Sequence, residues 1–164
     1  MEIPKQPGGL RFRSDHWPVV AEGLHLLAVT GVSVRFELQG ILARRRGVSL
    51  RAGSIRRIYE RDLLEAGWIV CETLPTFGRH RMAVIRLSES GEELCREFGW
   101  EVVESEWGRL LRLHAAGSQP GHTGAVLAFA HHARRCGWHT LVLPDVGDPF
   151  LFPDVLLEKE ERWI

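Results

Sequence analysis

Residues 49–91 read SLRAGSIRRIYERDLLEAGWIVCETLPTFGRHRMAVIRLSESG. Ile55, Ile58, Tyr59, Leu63 and Ala66 fall at i, i+3, i+4, i+8 and i+11, which strings them along one side of an α-helix. Arg51, Ser54, Arg57 and Arg61 lie roughly on the other side. Gly67 suits the left-handed position that ends a helix, since it has no Cβ to clash there. Residues 68–74 and 82–87 are rich in Val, Ile and Trp and bracket Pro75, Thr76, Phe77 and Gly78, the pattern of two antiparallel strands joined by a loop. Arg79, His80 and Arg81 crowd the end of that hairpin, and Ser88 is placed to open a further helix.

A helix that enters a major groove by its first turns sets Ser49, Arg51, Ser54, Arg56, Arg57 and Arg61 near phosphates and base edges. Arginine matches guanine or phosphate with two parallel hydrogen bonds. The run LLEAGWI followed by GRHRMAVIRLSESGEEL resembles the winged-helix domains of MarR-type and related bacterial regulators. In those proteins the recognition helix ends in an L-x-x-x-G-L-V-like turn and the wing leads into R-L-T-x-x-G. Here the second motif is Arg86, Leu87, Ser88, Glu89, Ser90 and Gly91, with Ser in place of Thr as the helix cap. The resemblance spans roughly residues 15–100 and implies a duplex-DNA reader whose site comprises the six residues above with Arg79, His80 and Arg81 on the wing.

Outward from this stretch, residues 1–14 form an arm rich in Pro and Gly, in which Arg11 and Arg13 read as a solvated tail before they read as phosphate contacts. Asp15 offers an N-cap and Pro18 a first turn for an apolar helix that ends near Gly31. Residues 33–46 read as the second helix, with Phe36, Leu38, Ile41 and Leu42 inward. Arg44, Arg45 and Arg46 close it, where they suit either phosphate contact or the helix dipole. Residues 88–116 continue as a helix with Leu94, Phe98, Val102, Trp107, Leu110 and Leu111 on one side, and Gly99 and Gly108 as points of interruption. The resemblance implies a homodimer through that side; a helix folded back on its own domain fits equally well.

Residues 117–122 combine small residues, Pro and Gly and read as a linker between a winged helix-turn-helix domain, residues 15–116, and a small αββ unit, residues 123–164. In that unit Val126, Leu127, Phe129, Ala130 and Ala133 should face inward from a helix, and two β-like runs follow. Trp163 and Ile164 look like the opening of a third strand, so the unit reads as incomplete. Helix, strand and a strand carrying Pro153 and Asp154 resemble the start of the PD-(D/E)xK nuclease-like fold, and the pairing with a winged helix is similar to replication-relaxation-type proteins. That resemblance implies Asp154 as a catalytic metal ligand, a magnesium cofactor and a lysine that positions water. No E-x-K follows: Glu158-Lys159-Glu160 and Glu160-Glu161-Arg162 only approach it, and an arginine is a poor base. A rival register uses Pro144 and Asp145, and both Pro-Asp pairs also read as turns or strand ends. His131, His132, Cys136 and His139 invite a zinc reading, but no fourth ligand stands at a recognisable spacing, so no metal site is assigned.

The net charge of zero conceals a partition. Residues 41–86 carry ten arginines against four acids, whereas residues 87–113 carry seven acids against three arginines. A basic face can therefore attract a polyanion although the whole chain is neutral. Lys5 and Lys159 are the only lysines, so the informative feature is where the arginines cluster. Cys71, Cys95 and Cys136 are too few and too scattered for a disulfide framework and read as small core residues in a reducing compartment. No apolar run approaches the roughly 18–20 residues of a membrane span, and a cytoplasmic, membrane-free protein is expected.

These readings converge on an α+β chain that binds double-stranded DNA without a cofactor and regulates transcription or the replication of plasmids or mobile elements. Two other classes compete. One is a magnesium-dependent nuclease with an incomplete motif; the other is a protein-interaction module that docks through Trp100, Trp107 and the acidic helix.

Overall fold

In the computed structural model, which describes residues 3–8, 16–113, 119–144, 147 and 153–159, helix α1 (Trp17–Thr30) is the axis around which the first core forms. Its buried residues include Trp17, Val20, Leu24 and Leu27, and they cover most of its circumference, as expected of a helix enclosed by others. The expected cap, Asp15, lies outside the described residues. Helix α2 (Arg35–Arg45) packs on α1, helix α3 (Gly53–Arg57) packs on α2, and α3 runs on as a π-helical turn, Ile58–Leu63, that packs on α1. Ile55, Ile58, Tyr59 and Leu63 are buried along this continuous helix as their spacing predicts. Gly67 follows at φ +73°.

Strands β1 (Ile69–Pro75) and β2 (Arg81–Leu87) pair antiparallel from Ile69 opposite Leu87 to Pro75 opposite Arg81. At their turn the Thr76 N–H donates to the His80 carbonyl at 2.9 Å. A feature absent from the sequence reading lies on the other edge of β2. There Val34 bridges Val84, and the Ile85 N–H donates to the Ser33 carbonyl at 2.8 Å. Residues 33–34, expected to start a helix, thus extend the sheet before α2 begins.

The pleat sends side chains to two different cores. Ile69, Cys71, Ile85 and Leu87 join the helical core, while Val70, Leu74, Met82 and Val84 face a second cluster with Trp107, Leu110, Val126, Leu127, Ala130 and Val142. Helix α4 (Glu89–Glu97) is capped by Ser88, whose Oγ accepts from the Gly91 N–H at 3.1 Å.

The long helix expected over residues 88–116 is two helices. Gly99 turns the chain at φ +74°, residues 101–105 cross without helical structure, and α5 (Glu106–Leu113) resumes. The crossing is fixed by the Val103 N–H on the Ala28 carbonyl at 2.9 Å and the Glu106 N–H on the Gly31 carbonyl at 3.0 Å. Leu94 is consequently spent on the first core and Trp107 and Leu110 on the second, while Phe98, Val102 and Leu111 are half-buried against them.

Helix α6 (Pro120–Arg135) packs on β1 and β2, and β3 (His139–Val142) pairs antiparallel with β4 (Val155–Glu158) beside it. The architecture is α+β, with helices on both sides of a small antiparallel sheet. Residues on either side of the 117–122 stretch contribute to the second core.

Three expectations are corrected. Phe36 is 50% exposed, in the first turn of α2 at the edge of the buried side set by Leu38, Gln39, Leu42 and Ala43. Phe129 is 46% exposed, at the edge of the α6 face defined by Val126, Leu127, Ala130 and Ala133. Of the cysteines, Cys95 is buried, Cys71 half-buried and Cys136 exposed, since Cys136 follows the last turn of α6. Trp163 and Ile164 lie outside the described residues. Among those described, no helix is long and apolar enough to cross a membrane.

Candidate nucleic-acid interface

The face built by α3 and its π-helical extension is set from beneath. Ile55, Ile58 and Leu63 anchor it in the first core, and the Arg35 guanidinium lies 4.2 Å from the Tyr59 ring centroid. Asp62, only 3% exposed, takes a very short hydrogen bond with His16 Nε2 at the head of α1. Counted in the sequence merely as an acid offsetting the arginines, Asp62 is instead a buried tie between two helices. It stands seven residues after Ile55 and one before Leu63, on the inward stripe, and its distant partner His16 is what marks it as buried.

Ser49, Arg51, Ser54, Arg56, Arg57 and Arg61 are all exposed, as are Arg79, His80 and Arg81 at the hairpin end. Their surroundings divide them. Ser49 Oγ accepts from the Arg51 N–H at 3.3 Å, which shapes the turn into α3. Arg56 pairs with Glu60 at 3.2 Å, and Arg61 approaches Asp62 at 3.7 Å. Arg51, Arg57, Arg79 and Arg81 have no ion pair among the described residues. The triple arginine after α2 divides likewise: Arg45 reaches Glu22 at 3.2 Å, whereas Arg44 and Arg46 meet no acid among the described residues. A guanidinium with no internal partner can meet a phosphate without first breaking a bond, so the helix face and hairpin tip carry cations of that kind.

The nuclease-like residues are arranged otherwise. Asp154 stands just before β4, with its Oδ1 3.3 Å from His122 Nε2. Glu158 lies at the far end of β4, about 13 Å on along an extended strand, and pairs with His139 at 3.0 Å. That spacing keeps the two carboxylates from sharing one ion, whose oxygen ligands stand about 2.0–2.6 Å away. Asp145, Glu160, Glu161 and Arg162 lie outside the described residues. The zinc candidates also scatter: His131 approaches Glu37 at 3.4 Å, His132 approaches the Cys136 sulfur at 3.7 Å, and His139 holds Glu158. Among the described residues, no group of three or more His, Cys, Asp or Glu could hold a metal. Of the two tryptophans read as a docking surface, Trp107 is buried at 1% exposure, while Trp100 is half-buried with its ring edge-to-face 5.0 Å from both Phe98 and His25.

A second charged assembly went unseen in the sequence because its members are far apart in the chain. Arg134 of α6 reaches Glu37 of α2 at 3.0 Å and forms a very short bond with Glu106 of α5. Burial alone would raise the Glu37 carboxyl, but His131 and Arg134 outweigh it and hold it below its usual range. At Glu106 burial prevails over Arg134 and the carboxyl is pushed up.

Comparison of the chain with protein-family models, with curated proteins and with solved structures finds no match to any of the three.

Proposed function

We propose that this chain is a winged helix-turn-helix protein that binds double-stranded DNA, as a bacterial-type regulator of transcription or of plasmid or mobile-element replication. The observation that carries the reading is the coincidence of four exposed arginines with no ion pair among the described residues, Arg51 in the turn ahead of α3, Arg57 at the end of α3, and Arg79 and Arg81 at the hairpin tip, in a chain of zero net charge. The Ser33–Ile85 and Val34–Val84 contacts support it, since a short third strand ahead of the second helix suits a wing. Exposed Ser54 and Arg57 then face the groove, while Arg79, His80 and Arg81 flank it. Arg56 and Arg61 must exchange an acid for a phosphate and contribute less.

The test is binding to labelled duplex DNA over a salt series, with and without magnesium. Affinity should fall steeply with salt, and Arg57→Ala and Arg81→Ala should each weaken binding and reduce the salt slope by about 1. Unchanged slopes in both variants would remove this face from the interface. Magnesium-dependent cutting abolished by Asp154→Asn would replace the reading with the nuclease one.

A further inference from the structure

The hairpin tip that carries the wing cations also carries the most exposed large apolar side chain among the described residues, Phe77 at 61%. Residues 76–81 read Thr-Phe-Gly-Arg-His-Arg, with no acid among them. Phe77 opens a tight turn in which the His80 N–H donates to the Phe77 carbonyl at 3.3 Å and Gly78 takes φ +63°. An aromatic ring and an arginine with no ion pair among the described residues thus stand two positions apart on one fixed bend.

The tip does not stand free of the rest of the chain. A Cβ on Gly124 of α6 would lie 2.0 Å from the Pro75 carbonyl oxygen, so the helix presses directly on the end of β1. Beside that contact, Phe77 lines an open hollow of about 340 Å³ together with Ala125 and Phe129 of α6 and Val155 of β4. Phe129 is itself largely exposed, and neither phenylalanine belongs to either core. At the rim of the hollow stands Asp154, its Oδ1 3.3 Å from His122 Nε2.

We propose that this hollow seats one unpaired base of the DNA strand whose phosphates lie on Arg79 and Arg81. The inference rests on the DNA-binding reading above and names the form of DNA preferred, a duplex that adjoins a single-stranded or unpaired base. A nucleotide strand joins a phosphate to a flat aromatic ring, and the tip offers bare guanidinium groups next to exposed rings on which a base stacks. An apolar peptide would use the rings and leave the cations without a partner. The Asp154 carboxylate accepts hydrogen bonds only, which suits the amino group or ring N–H of a base and disfavours a second phosphate at that rim. In fully paired DNA the base would first have to leave its stack, at a cost that an unpaired base does not meet.

The experiment measures binding of the full chain over a salt series to three labelled DNAs: a fully paired duplex, the same duplex with a short single-stranded tail, and that duplex with its tail stripped of bases. The stripped tail keeps the added phosphates and removes the rings. The base-bearing tail should bind about ten-fold more tightly than the other two, with saturable amide shifts at residues 76–78 and 125–129. Phe77→Ala, Phe77→Leu and Phe129→Ala should each abolish most of that preference while leaving affinity for the paired duplex and its salt slope unchanged; the leucine keeps apolar volume without a flat ring. Arg81→Ala should weaken all three DNAs alike. Equal binding of the two tails, or a preference that survives the phenylalanine changes, overturns the seat and leaves the duplex reader standing. Absence of salt-sensitive binding to any of the three overturns the reader and the seat with it. A parent dimer that Phe129→Ala dissolves would give the hollow to a second copy and overturn the seat as well.

Discussion

At Gly91 a single methyl group would collide with a backbone carbonyl. A Cβ there would stand 2.0 Å from the Trp68 oxygen, so the first turn of α4 approaches the start of β1 more closely than any side chain permits. Gly91→Ala should therefore destabilise the fold by about 1–3 kcal/mol, as overpacking does, seen as a lower urea midpoint with an unchanged slope; an unmoved midpoint would mean that α4 shifts at no cost. The Ser88 cap was legible, because serine before a helix has a local meaning. The demand on Gly91 was not, since it arises from Trp68, which spacing alone does not bring near.

The pair Glu37 and Glu106 gives a residue-scale pH signature of opposed sign. Glu37, held down in the folded state, adds stability above the unfolded carboxylate value, and that stability is lost as pH falls through the folded one. Glu106, pushed up, does the reverse: the folded state binds the proton more tightly, so stability falls as pH rises through its folded value. In the parent the two partly cancel on acidification. Glu106→Gln should remove the gain and steepen the loss of stability as pH falls through the carboxylate range, whereas Glu37→Gln should turn the cluster's contribution the other way. Urea midpoints across that range check it, and parallel curves for both variants would refute the assignment.

At the scale of elements, the periodic stripe of Ile55, Ile58, Tyr59 and Leu63 placed the helix face correctly because a buried helix side repeats at its own period. The same reading missed Asp62, since a lone acid on an inward stripe is indistinguishable in sequence from a solvated one until its partner, His16, is known. It also missed the break before α5. Gly99 was visible as an interruption, but the crossing over 101–105 is held by carbonyls of Ala28 and Gly31, tertiary partners no local pattern announces. Asp62 supplies the test at this scale. Asp62→Ala removes the hydrogen bond that ties α1 to the π-helical turn and should cost about 1–3 kcal/mol. The arginines of the face survive that change. DNA binding should then weaken with its salt slope preserved, and a reduced slope would show that Asp62 holds the cations themselves.

At the scale of the whole molecule, the sheet is the shared wall of two cores, and the second is completed only by α6 and β3. Leu74, Val84, Trp107 and Leu110 come from before residue 117, and Val126, Leu127, Ala130 and Val142 from after it. A linker reading of residues 117–122 rests on composition, which is local, whereas the use of both sheet faces is a property of packing. The alternation of apolar residues on β1 and β2 carried a hint, since Val70, Leu74, Met82 and Val84 form an apolar row on the face turned away from the first core. Cutting the chain after residue 116 tests which description holds. Losing Val126, Leu127 and Val142 withdraws about 1.5–3 kcal/mol for each large apolar side chain and bares Trp107 and Leu110, against a total stability of about 5–15 kcal/mol typical of such chains. The shortened chain should unfold at much lower urea, with a broadened transition and bound hydrophobic dye. If instead it unfolds cooperatively near the parent midpoint, the first core stands alone and the layer of α6, β3 and β4 is an appendage to it.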